Sequence, residues 1–210
     1  MNSLDNYKAI KLEVDKLNNK LNLIVVTKNR SIDTILPIIK SGHLHFGENK
    51  VQEAKEKWIP LLKNFKDIKL HLIGKLQSNK AKDAFTLFDF IHTLDSEKLA
   101  KKFSELELNS VRKIKYFIQI NIGNEVQKNG IEHSYAKDFI NFCKNDLKLN
   151  IIGLMCIPPI NLDPCSFFEK MQQLKINNNL NELSMGMSSD YKEALNFGST
   201  YLRIGSAIFK

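Results

Sequence analysis

Eight short apolar, β-branched runs recur along the chain, and a stretch of helix-forming character follows most of them. They are LNLIVVTK (21–28), HLHFGE (43–48), KLHLIGK (69–75), FIHTLD (90–95), KYFIQINIG (115–123), NIIGLMCI (150–157), ELSMGM (182–187) and YLRIG (201–205). Runs so uniformly apolar suit strands covered on both faces, and strands that alternate with helices pair in parallel through crossovers. The stretches between carry helix punctuation: Ser31 caps SIDTILPIIKSG and Gly42 closes it, and Ser96 caps SEKLAKKFSELEL. Eight such units predict an α/β chain closed into a (β/α)8 TIM barrel rather than an open sheet, although 210 residues is near the lower limit for it. No linker or shift in composition divides the chain. Residues 1–210 are therefore expected to form a single domain, with an N-terminal helix over 1–20 packed on the barrel.

Several function classes fall away early. Residues 1–22 lack the apolar core of a signal peptide, and no run of about 18 apolar residues could span a bilayer. A cytoplasmic protein without membrane contact is expected. Cys143, Cys156 and Cys165 have no CxxC spacing, and the histidines form no HExxH pair, which argues against a disulfide framework or a metal site. The net charge of +8 comes from lysines scattered among acids, as in EAKEKW and DSEKLAKKF. Without an arginine-rich block interleaved with aromatics, nucleic acid is not the expected partner; part of the excess would draw in an anionic small molecule.

In such a barrel the site lies at the C-terminal ends of the strands. That filter selects Lys28, Glu48, Asn49, Gly74 to Asn79, Asn121, Met155, Ser184 to Ser189 and Arg203 to Ser206. The last two strands end in SMGMSS and RIGSA, where glycines admit close approach of an anion and serines offer hydroxyls; these loops commonly bind phosphate. A helix beginning near Asp190 is expected to aim its free amides at the same place. Taken singly, each glycine would only relieve turn strain and Lys28 would be a surface lysine. At a strand end facing a low-dielectric barrel mouth, Lys28 would instead be a nucleophile. A nucleophilic lysine beside a phosphate site implies an imine with a phosphorylated carbonyl compound. Both a class I aldolase acting on a sugar phosphate and a protein holding pyridoxal 5′-phosphate (PLP) fit this spacing.

VVTK, HFGENKVQE, HLIGKLQSNK, QKNGI, GLMCIPP, LSMGMSSD and RIGSAIF occur in this order. Together they resemble the PLP homeostasis protein family, whose fold is similar to the N-terminal barrel of alanine racemase; the resemblance runs from about residue 21 to the end. It implies that PLP forms an imine with Lys28. It also implies Asn49, Ser184, Met185, Gly186, Met187, Ser188, Gly205 and Ser206 as cofactor-binding residues, and Arg203 facing the pyridine nitrogen. The departures are Thr27 where serine is more usual, QKNGI for SKSGI at Lys128, and an ending in IFK without the glycine that often follows, a difference expected to touch only the terminus. Arginine only donates, so the ring nitrogen it faces stays unprotonated and the ring is a weak electron sink. The second base that alanine racemase takes from a further β-domain is not expected in a sequence that stops soon after Gly205. The expected function is thus a monomeric PLP carrier that maintains intracellular PLP, without strong catalysis, with PLP-dependent apo-enzymes as acceptors. An amino-acid racemase is the alternative.

Overall fold

Alternation along the strands sorts the apolar side chains into two separate cores. In the computed structural model, which describes residues 2–17, 21–125 and 127–210, eight strands close into a barrel. They are β1 (Asn22–Val26), β2 (His45–Glu48), β3 (Lys69–Leu72), β4 (Phe90–Leu94), β5 (Lys115–Asn121), β7 (Ile151–Cys156), β8 (Glu182–Met187) and β9 (Tyr201–Ile204). A two-residue strand, β6 (Ile131–Glu132), pairs beside the end of β5. Every pairing is parallel, β1 lies between β2 and β9, and the β4–β5 pair closes the ring. Ile24, Phe90, Phe117, Met155 and Tyr201 fill the barrel interior. Their chain neighbours, such as Leu23, Val25, Ile91, Ile118 and Leu202, point the other way into the shell beneath the helices.

The helices are α2 (Ile32–Lys40), α3 (Val51–Leu62), α4 (Ala81–Leu87), α5 (Glu97–Leu108), α6 (Ala136–Asn141), α7 (Cys165–Asn177) and α8 (Tyr191–Asn196). Ser31 and Ser96 cap α2 and α5 as expected, accepting from the amides of Thr34 and Leu99. The stretch SYAKDFINFCKND does not form one regular helix: α6 passes into a π-helical turn at Phe142–Asp146.

Among the described residues no helix follows β9, and the N-terminal helix α1 (Ser3–Leu17) takes that place between α2 and α8. Ser3 donates to the Thr34 carbonyl, Asn6 Nδ2 to the Ile208 carbonyl at 3.0 Å, and Tyr191 Oη to Glu13 at 2.9 Å. Met1 and residues 18–20 of the expected 1–20 helix lie outside the described residues. No helix among the described residues is long and apolar enough to cross a membrane, and no cluster among them suits a metal ion.

Candidate functional site

The C-terminal ends of β1, β2, β3, β7, β8 and β9 surround a cavity of about 510 Å³. Val26, Ile73, Ile157 and Ala207 supply apolar wall, Lys28 and Asn49 one side, Ser188, Ser189, Gly205 and Ser206 the other, and Arg203 the floor. A few polar groups converging on a partly apolar concavity of this size are what small-molecule sites look like.

Lys28 is exposed at the rim, against the expectation of a desolvated lysine. The physical reason is its place just past β1, where the chain has left the sheet and no helix covers the side chain. Its backbone is held far more tightly than its side chain. Thr27 turns outward and is fully buried, donating to Glu48 Oε1 at 2.7 Å. Lys57 of α3 donates to the Thr27 carbonyl (2.7 Å), to Glu48 (2.9 Å) and to Glu53 (2.9 Å). Glu53 in turn accepts from the amide of Asn29 at 2.6 Å, where φ is 57°. Both peptides flanking Lys28 are therefore tied to one buried ion cluster, completed by Trp58 Nε1 donating to Glu48 at 2.9 Å.

Asn49 is held by a backbone contact. A Cβ on Gly74 would stand 2.2 Å from the Asn49 carbonyl oxygen, so only glycine lets the ends of β2 and β3 approach this closely.

Arg203 is 4% exposed. It donates to Ser184 Oγ at 2.7 Å and to the Cys156 carbonyl at 2.9 Å, and no carboxylate among the described residues pairs with it. Burial pulls its pKa below the ordinary arginine value. Burial also pushes the neighbouring Cys156 thiol up to about 12, which removes it as a nucleophile.

Of the ten residues expected to bind the cofactor, Lys28, Asn49, Met187, Ser188, Arg203, Gly205 and Ser206 line this one cavity. Three do not. Ser184 is fully buried inside the barrel, bonded to Arg203 and His92, and Met185 points outward into the helix-covered core. Gly186 has φ 91°, and a Cβ there would meet Ala194 of α8 at 2.8 Å and Leu202 at 2.9 Å. Its freedom serves the turn and the packing of α8.

The amide of Met187, expected to face an anion, donates to Asp190 Oδ1 at 2.6 Å, so part of the expected helix-end anion site is filled by the chain's own carboxylate. Ser188 Oγ accepts from the Ala207 amide at 3.2 Å and ties the two loops together. The amides of Ser188, Ser189 and Ser206 have no acceptor among the described residues. Lys128 lies in an adjoining pocket of about 190 Å³ with Gln119, Asn121 and Asn129, paired with Glu125 and donating to the Pro158 carbonyl at 3.3 Å. Ile157 belongs to both pockets.

The final residue, Lys210, also lines the main cavity, which corrects the expectation that the IFK ending touches only the terminus. The sequence held no signal for this, because reach across a barrel mouth depends on the turn after β9. Ser189, just past the end of β8, lines the cavity too, although the resemblance does not imply it.

Residues 5–210 match the family described as alanine racemase, N-terminal domain. The pyridoxal phosphate homeostasis protein of Buchnera aphidicola subsp. Schizaphis graminum is 38% identical, covering 100% of this chain and 98% of that protein. The chain belongs to the pyridoxal phosphate homeostasis protein family. The structure of PipY from Synechococcus elongatus PCC7942 with PLP bound superposes with a TM-score of 0.87 at 31% identity, over 99% of this chain and 100% of that one. Alanine racemase from Corynebacterium glutamicum shares the barrel alone, with a TM-score of 0.72 at 15% identity, over 98% of this chain and 61% of that one.

Proposed function

We propose that this chain binds PLP in the cavity at the strand ends and maintains the intracellular PLP pool rather than turning over an amino acid. The observation that carries the reading is the meeting, in one cavity, of a primary amine (Lys28), a buried arginine (Arg203), and hydroxyls and amides from two strand-end loops, the arginine having no carboxylate partner and the amides no acceptor among the described residues. That donor set fits a phosphorylated pyridine aldehyde. Ser188, Ser189 and Ser206 would take the phosphate, Arg203 would present an N–H to the ring nitrogen, and Val26, Ile73 and Ile157 would flank the ring. When bound, PLP supplies an aldehyde that condenses reversibly with a primary amine. The chain's own part is to position that amine: the Glu48–Lys57–Glu53 cluster holds the peptides on both sides of Lys28 while its exposed side chain stays free to reach.

A role in holding rather than converting is supported by the lining. Apart from Arg203, the titrating side chains on the cavity wall are Lys28 and Lys210; no tyrosine, histidine, cysteine or carboxylate lines it among the described residues. Proton exchange on an amino acid wants an acid–base group on each face of the reacting carbon. An arginine that keeps its proton also favours an unprotonated ring, which withdraws electrons weakly. In this reading residues 1–210 act as one cytoplasmic PLP-binding unit, a monomer that protects cell amines from free aldehyde and supplies PLP-dependent apo-enzymes.

The test is the visible spectrum of the purified protein with PLP, for wild type and Lys28→Ala, followed by borohydride and mass analysis of peptides. A borohydride-stable increment on the Lys28 peptide, absent in the variant and without racemisation of L-alanine or L-serine, supports the reading. Turnover of either amino acid that depends on Lys28 would assign a racemase, and no increment on Lys28 would sink the site assignment.

A further inference from the structure

A line of buried polar side chains crosses the barrel interior from its N-terminal end to the floor of the cavity, and nothing in the proposed function uses most of it. His45 Nδ1 lies 2.9 Å from His71 Nε2, His71 Nδ1 lies 2.9 Å from His92 Nε2, and His92 Nδ1 lies 2.8 Å from Ser184 Oγ. Ser184 Oγ then accepts from Arg203 at 2.7 Å. His71, His92 and Ser184 are fully buried, and His45 is half-buried at the start of β2.

The direction of every bond follows from one end. A guanidinium only donates, so Ser184 Oγ accepts from it, and among the described residues His92 Nδ1 is the acceptor within reach of the hydroxyl's own proton. His92 must then carry its own proton on Nε2 and donate to His71 Nδ1. By the same step His71 carries its proton on Nε2 and donates to His45 Nδ1. Burial holds His71 and His92 neutral, and the charge of Arg203 adds to the effect at His92. The rings have little room to turn. His71 stacks on Phe90 with centroids 4.2 Å apart, His92 stacks on Phe117 at 4.2 Å, and Tyr201 stands edge-on to His92.

A carboxylate is the usual partner for a buried arginine, and it would cancel the charge. A line of neutral imidazoles orients the guanidinium without cancelling anything. We propose that His71, His92 and Ser184 are positioning residues that aim Arg203 without placing a carboxylate in contact with it, so that its remaining N–H groups are reserved for the ligand. The ligand class so selected carries an anionic group and an unprotonated aromatic nitrogen. This deepens the PLP reading and rests on it for the identity of the ligand, but the direction of the chain is a property of the protein alone.

Two measurements separate those dependencies. Side-chain nitrogen NMR on histidine-labelled protein without PLP, near pH 7.5, should show His45, His71 and His92 as neutral tautomers protonated on Nε2. A cationic ring, or Nδ1 protonation at His71 or His92, overturns the chain whatever the ligand is. PLP affinity and the nitrogen shift of ring-labelled PLP are then compared in wild type, His92→Phe and His92→Asn, each first shown to be folded by circular dichroism. His92→Phe should bind about tenfold more weakly, the loss expected for one misaimed hydrogen bond to a charged group, and should move the ring-nitrogen shift. His92→Asn, whose amide oxygen accepts from Ser184, should restore both. His71→Leu, one link further from the cavity, provides the readout if His92→Phe does not fold. Unchanged affinity and unchanged shift in a folded His92→Phe or His71→Leu would refute the positioning role. Should wild type bind no PLP, the proposed function fails while the tautomer measurement still decides the chain.

Discussion

Lowering the pH from 7.5 to 5 probes the buried histidines without altering a residue. His43 sits between α1 and β2, with Nε2 donating to the His45 carbonyl at 2.8 Å and Nδ1 accepting from Tyr7 Oη at 3.1 Å. Loss of solvent lowers its pKa to about 4. In the unfolded chain histidine titrates near 6.5, so below that pH the unfolded state binds the extra proton and the folded state does not. Stability therefore begins to fall as the pH drops past about 6.5 and stops falling, for this group, below about 4. The full effect of His43 is about 3 kcal/mol, of which about 2 kcal/mol is lost by pH 5. His71 and His92, both lowered by burial, add to the loss in the same direction. Against a total stability of about 5–15 kcal/mol, that is enough to bring unfolding close before most carboxylates protonate. Urea titrations at several pH values, followed by the fluorescence of Trp58, measure it directly; Trp58 is the only tryptophan and is fully buried. His43→Gln should flatten the slope by about 1.4 kcal/mol per pH unit below 6.5. Stability unchanged between pH 7.5 and 5, or an identical slope in the variant, would refute the reasoning.

Lys57→Met should cost about 3–5 kcal/mol, because it strands the Glu48 carboxylate in a fully buried site, and a loss below about 1 kcal/mol in urea would count against the buried cluster. Gly74→Ala should shift the ends of β2 and β3 apart and weaken PLP binding through Asn49, since its Cβ has no space beside the Asn49 carbonyl; an affinity equal to wild type by fluorescence titration would show that Asn49 is not held this way.

The sequence by itself determined the eight strands of the barrel (though not the short β6), their parallel pairing and the end of the barrel that carries the site. Eight runs apolar on both faces leave crossover helices as the only cover, and crossovers force every strand to point the same way. It also marked Lys28, Asn49, Ser188, Arg203, Gly205 and Ser206, because a residue just past a strand's C-terminal end reaches the cavity wherever the strand sits. Tertiary structure decided what depends on the phase of the alternation. ELSMGM is apolar enough to read the same on either face, so only the closed barrel sends Ser184 inward to Arg203 and Met185 outward to the helices. The exposure of Lys28 depends on its lying just past β1 where no helix covers its side chain, and the place of α1 on the gap it fills between α2 and α8. The histidines are the clearest case. His45, His71 and His92 are 26 and 21 positions apart, one in each of three strands, and none stands out in the sequence. They become one hydrogen-bonded line because the offset between neighbouring strands, a property of the barrel's tilt rather than of any segment, brings the three rings to bonding distance inside it.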